Sequence, residues 1–345
     1  SRQDARVKVA QILLLGGEVD KAMEEVDKAL AAEPENADAL AVRAGLHARR
    51  KDIEAAREDA ERALEIAPGH ANAIALLASL RVTTGDVDGA RALLAEGIAA
   101  NPDNSSLKLI LAQINMQSGD REAAEQTLRD IIADEPDKLA HRVRLAQFLT
   151  NTGQFEAAEE ALRTAVADFP EETTARTALV RFLAGRERLD EAEAVLKEFL
   201  AEDERAHELR FLLGDLYVTR EQLDAAAETY NRIIELDELG PSGLRARTRL
   251  ARVRLAQEDR AAGRALLEEV LAENSRDNEA LMLRARMALL EKDPVSAIND
   301  LRAVLRDQPN NGDTLRMLAQ AHLLNQEPEL AKDVLRQAVE ANPED

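Results

Sequence analysis

Five arginines, Arg245, Arg247, Arg249, Arg252 and Arg254, crowd one short stretch of a 345-residue chain whose formal charge is −21. A guanidinium is a flat, permanently charged fork that pairs with carboxylates through two parallel hydrogen bonds. Arg245, Arg249 and Arg252 are spaced four and three apart, so on a helix they share a face. Two readings follow. Asp215, Glu208 and Glu279 can neutralise them as structural pairs, or the forks can grip the carboxylates of an acidic peptide or an anionic sugar polymer. Other chemistry is absent from the sequence. There is no Gly-rich phosphate loop, no His-Glu-x-x-His and no nucleophile elbow. Cysteine is missing altogether, which removes disulfides, thiol catalysis and thiolate zinc sites. The five histidines, His47, His70, His141, His207 and His322, are scattered one by one. The expectation is a chain that is not an enzyme, with no cofactor and no metal site. Its acidity also argues against nucleic acid as a ligand, since that affinity comes largely from counterions displaced by basic side chains.

The elements that position these residues come from a period. Aligned on itself at an offset of 34 residues, the chain superimposes Pro34, Pro68, Pro102, Pro136 and Pro170, then Pro309 and Pro343. Twelve residues before the first five prolines stand Ala22, Ala56, Ala90, Ala124 and Ala158, and the column continues through Ala192, Ala226, Gly263, Ala297 and Ala331. A second small column runs Ala10, Ala44, Ala78, Ala112, Ala146, Gly214, Ala251, Ala285 and Ala319, broken once by Val180. Small side chains are needed where two helices cross closely, so two columns per period predict two helices per unit. Gly17, Gly85, Gly119 and Gly153 mark the turn between them, and Asp52, Asp86 and Asp120 are placed to cap the second helix. Pro294 and Pro328 fall just inside that helix, where a missing amide costs nothing. Counting from Gln3, ten units fill the chain, the seventh carrying three extra residues around Leu239-Gly240-Pro241. Glycine followed by proline breaks helices, which predicts a longer loop there and a junction between residues 3–240 and 241–345.

A 34-residue helix–turn–helix with small residues at its eighth and twentieth positions and proline at its thirty-second resembles the tetratricopeptide repeat family. The resemblance covers essentially the whole chain and implies an all-α, right-handed α-solenoid of ten units. It also implies a concave groove lined by first helices, at repeat positions two, five, nine, twelve and thirteen. In the first four units those positions give a small, largely apolar wall, including Val7, Ala41, Ala75, Leu109, Gln113 and Met116. Farther along they give Arg181, Phe211, Asp215, Arg245, Arg252, Met282 and Arg286, with Arg249 on the same face as its arginine neighbours. All eight aromatics fall between Phe148 and Tyr230. Most are expected to fill wider helix spacing. Phe211, at a groove position, is the expected apolar anchor of a bound segment. The carboxylate clamp that some members present to chaperone tails is not matched, because Thr177, Arg181 and Leu212 stand where it needs other residues.

The expected function is a protein–protein interaction scaffold binding a partner segment, acidic in chemistry, with an anionic polysaccharide as the other candidate. The alternatives are a substrate-presenting segment of a larger enzyme and a chaperone or regulatory adaptor. The long, cysteine-free, Ala/Leu/Arg/Glu-rich array resembles those of bacterial envelope proteins tied to exopolysaccharide and surface-protein export, which favours a periplasmic or envelope location. No apolar run reaches the ~18 residues of a membrane span, so direct membrane insertion is not expected. The chain opens two residues before a repeat boundary and stops at the last position of the tenth unit, which is the expectation for a segment of a longer protein.

Overall fold

The computed structural model describes residues 2–341; Ser1 and residues 342–345, Pro343 of the proline column among them, lie outside the described residues. The chain forms two units, Ser1–Pro170 and Glu171–Asp345. The first unit holds α1 (Arg2–Leu15), α2 (Val19–Ala32), α3 (Ala37–Arg49), α4 (Ile53–Ile66), α5 (Ala71–Thr83), α6 (Val87–Ala100), α7 (Ser105–Gln117), α8 (Arg121–Asp134), α9 (Leu139–Asn151) and α10 (Phe155–Asp168). The second holds α11 (Thr173–Gly185), α12 (Leu189–Glu202), α13 (His207–Thr219), α14 (Leu223–Asp237), α15 (Pro241–Ala256), α16 (Arg260–Glu273), α17 (Asn278–Leu290), α18 (Pro294–Asp307), α19 (Gly312–Leu324) and α20 (Pro328–Ala341). No strand occurs among the described residues. Within each unit every helix packs on the next in sequence, and successive odd-numbered helices also touch, except α7 and α9, giving an all-α helical repeat solenoid.

The two small columns are the crossings. Ala22, Ala56, Ala90, Ala124, Ala158, Ala192, Ala226 and Ala297 are fully buried, as are Ala10, Ala44, Ala78, Ala251 and Ala285. Where the column holds Gly214, the opposing residue is Tyr230, and a Cβ on that glycine would lie 2.5 Å from the Tyr230 ring. Asp52, Asp86 and Asp120 accept the backbone amides of Ala55, Gly89 and Ala123 and so cap α4, α6 and α8. The turn inside each repeat takes a left-handed residue: Gly17, Gly85, Gly119 and Gly153 have φ of 78° to 87°. The same turn is made without glycine at Lys51, Glu187, Glu221, Glu258, Lys292 and Gln326, with φ from 57° to 64°.

One buried substitution recurs. At the position of α3 and α17 where Leu77, Leu145, Leu179 and Leu213 stand in other repeats, the chain has Arg43 and Arg284. Opposite them, where Leu93 and Leu266 stand, it has Asp59 and Asp300, both buried. The pairs are bidentate: Arg43 Nε and Nη2 donate to Asp59 at 2.7 and 2.8 Å, and Arg284 Nε and Nη2 donate to Asp300 at 2.8 and 2.7 Å.

The three extra residues do not form a longer loop. α14 has 15 residues and α15 has 16, against 14 and 13 for α12 and α13, and only residues 238–240 connect them. Pro241 opens α15 at its first turn, where it needs no amide partner. The connection is tight. Glu238 has a φ of 42°, Gly243 N donates to Asp237 Oδ2 at 2.9 Å, and a Cβ on Gly243 would lie 2.0 Å from the Glu238 carbonyl oxygen. Arg247 Nη1 closes the turn by donating to that same carbonyl at 2.5 Å. Residues 239–241 lie inside the second unit, where α14 packs on α15.

Candidate functional site

In the second unit the arginines expected to line a groove are held by carboxylates of neighbouring first helices. Arg245 Nη1 on α15 donates to Glu208 Oε1 on α13 at 2.6 Å. Arg249 Nη1 donates to Asp215 Oδ1 at 3.3 Å, and its Nε is 3.9 Å from Glu279 on α17. Arg252 Nη2 donates to the same Glu279 at 2.8 Å. Asp215 also accepts the Tyr230 phenol at 2.7 Å, and burial, then this carboxylate, push the Tyr230 pKa well above that of a free phenol. The result is a ladder of alternating charges across α13, α15 and α17. Pairs of this kind are partly solvated and each contributes little alone, of order 0–1 kcal/mol. Arg181 and Arg286 differ: both are exposed and neither has an ion-pair partner among the described residues.

Phe211 requires a correction. Expected at a groove-facing position as the apolar anchor of a bound segment, it is 1% exposed. The Arg245 guanidinium lies 4.0 Å from its ring centroid, and the Tyr230 ring is 6.2 Å away. A groove position in the repeat becomes a core position here because the arginine of the following repeat covers it, a cation over an aromatic face.

The first unit holds a site that the sequence reading passed over. α1 touches α3, α3 touches α5 and α5 touches α7, but no Cα of α7 comes within 8 Å of one in α9. The spacing opens where Phe148, the first aromatic of the chain, takes the place of Leu46, Leu80 and Ile114 in the preceding repeats. Between α7 and α9 lies a cleft of about 660 Å³. Its apolar wall includes Leu109, Val143, Phe148 and Met116, the last 46% exposed. Four side-chain amides line it as well: Gln113 and Gln117 on α7, Gln147 and Asn151 on α9. Each helix contributes two amides four residues apart, on one face, and the two helices repeat them at the same repeat positions. Arg144 completes the lining. None of these five polar side chains has a hydrogen bond or ion pair to another described residue. Gln113 and Met116 were part of the wall expected from sequence. Gln117, Gln147, Asn151 and Arg144 were not, although the 34-residue recurrence of the amides was there to be read.

Among the described residues no group of three or more His, Asp or Glu side chains could hold a metal ion, and no helix is long and apolar enough to cross a membrane.

A comparison with curated protein sequences gives no match. Among solved structures the chain is similar to the APC/C hetero-tetramer Cut9–Hcn1, at 15% identity and a TM-score of 0.48, over 97% of this chain and 72% of that one. It is also similar to a tetratricopeptide repeat protein from Parabacteroides merdae, at 16% identity and a TM-score of 0.47, over 69% of this chain and 93% of that one. A third is the human IFIT1 dimer with m7Gppp-AAAA, at 16% identity and a TM-score of 0.42, over 97% of this chain and 89% of that one. Two tetratricopeptide repeat family models match the sequence, one at residues 47–114, 115–182 and 288–345, the other at 8–71, 178–242 and 248–301. With each model matching more than half its length, the chain belongs to the tetratricopeptide repeat family.

Proposed function

We propose that this chain is a non-catalytic scaffold that holds a segment of a partner protein, and that the cleft between α7 and α9 is its principal docking site. Tetratricopeptide repeats are in general protein–protein interaction scaffolds. The observation that carries the placement is that five polar side chains, unpartnered among the described residues, surround an apolar wall with an exposed methionine. Sites for ligands combine an apolar surface with a few convergent polar groups in this way. In the second unit, Arg181 and Arg286 are the proposed contacts for an acidic partner, because Arg245, Arg249 and Arg252 already have carboxylates. The bacterial envelope and export setting belongs to the same proposal and is supported by composition; fractionation of cells that produce the protein tests it.

The docking site is tested by placing a photo-crosslinking amino acid at Met116, at Arg286 and at the exposed Glu122 of α8, then identifying crosslinked peptides by mass spectrometry. Enrichment of one set of peptides at Met116 over Glu122 is expected. Equal labelling at the two positions removes the cleft as the site.

A further inference from the structure

Asp and Glu make up 66 of the 345 residues, and they line each of four other concavities: Glu268 and Asp300 in one, Glu33 and Asp38 in another, Glu160 in a third, Asp277 and Glu279 in a fourth. The α7–α9 cleft has none, and it holds a guanidinium with no partner among the described residues. An acidic chain that keeps this concavity free of carboxylates, around an unneutralised cation, has left a place for a negative charge from elsewhere. The amides say what form the occupant takes. A Gln or Asn side chain presents one acceptor and two donors, the complement of a main-chain N–H and C=O pair. In a helix those main-chain groups are already bonded to each other, so the amides would find nothing to bind. In an extended strand they are free and must be satisfied.

We propose that the cleft takes an extended peptide segment carrying an Asp or Glu beside an apolar residue. The carboxylate pairs with Arg144, the apolar side chain lies on Met116 and Val143, and the main chain bonds to Gln113, Gln117, Gln147 and Asn151. This rests on the cleft being the docking site.

The test selects random nonapeptides displayed on phage against the whole chain, then measures the synthetic peptides on the wild type, Arg144→Glu and Met116→Asp. Both side chains are exposed, and far-ultraviolet circular dichroism verifies that the variants fold. The expected result is a selected Asp or Glu at fixed spacing from an apolar residue, with binding about tenfold weaker to Arg144→Glu. Exchanging that acid for lysine should restore binding to Arg144→Glu. N-methylation of single peptide amides should weaken binding, and helix-favouring substitutions should not strengthen it. If Met116→Asp abolishes binding while Arg144→Glu does not, or if the bound peptides are helical, the docking site stands and the extended acidic segment is wrong. If Met116→Asp leaves binding unchanged, or no peptide is selected, the docking site itself fails. Polygalacturonate binding that Arg144→Glu abolishes, with no peptide selected, overturns the proposal in favour of an anionic polysaccharide.

Discussion

Arg43 and Asp59 show how a single residue type depends on its neighbour. Most other repeats put apolar side chains in both places, so the ion pair is an alternative way to fill one site. Breaking a buried pair leaves a charge without compensation, whereas replacing both members by apolar groups is often neutral. Arg43→Leu should therefore cost about 2–4 kcal/mol, somewhat reduced by the partial exposure of Arg43. The double variant Arg43→Leu/Asp59→Leu should melt close to the wild type. Equal melting temperatures for single and double variants would show that the two are not coupled. Tyr230 makes a second residue-scale case. The chain has two tyrosines and no tryptophan, so phenolate absorbance is easy to follow. Burial raises the pKa of both Tyr217 and Tyr230. Near pH 10 a free phenol is half ionised, and the native chain should show little phenolate signal. The folded pKa lies above the unfolded one, so stability from this source is full below about pH 10 and falls as pH rises beyond it. A phenolate signal at pH 10 with helix content intact would contradict the burial of both rings.

Turns and helix ends carry the element-scale predictions. Six repeats place a non-glycine residue in the left-handed turn, a conformation that costs an L-residue roughly 1–2 kcal/mol. Glu221→Gly should stabilise the chain by about 0.5–1 kcal/mol, the gain being trimmed by the entropy of glycine in the unfolded state. Gly243→Ala should do the reverse, by about 2 kcal/mol or more, because its Cβ would meet a backbone oxygen and not a yielding side chain. Thermal melts of the two variants check both signs. These elements also mark what was legible in the sequence. Small residues recurring at a fixed period specify close helix crossings, and the helices followed. Leu239-Gly240-Pro241 misled because Gly-Pro reads as a break, while proline at a first turn starts a helix equally well. Phe211 misled because a repeat position was taken to face the same way in every copy, and Arg245 covers it. The cleft was missed for a different reason. A period in sequence says which residues are equivalent and nothing about how far apart two equivalent helices stand, so the opening between α7 and α9 has no periodic signature, although its amides do.

At the scale of the molecule, each repeat is stabilised by itself and its neighbours, so damage should stay local. Ala124 is fully buried at the α7–α8 crossing, and Ala124→Phe should overpack it at a cost on the order of 1–3 kcal/mol. Hydrogen exchange should show lost protection in α6 to α9 and unchanged protection in α1 to α3. Uniform loss along the first unit would mean that its repeats unfold as one body. The paired substitutions at Arg43 with Asp59 and at Arg284 with Asp300 constrain how such an array can be rearranged. The two members of each pair sit on opposite sides of a repeat's internal turn, so recombination at that turn would separate them. Joining the first helix of the second repeat to the second helix of the ninth preserves an arginine with an aspartate. Joining it to the second helix of a repeat with an apolar residue there strands a partly buried cation. Crossovers between whole repeats are therefore open to this gene, while crossovers within the second and ninth are open only to each other.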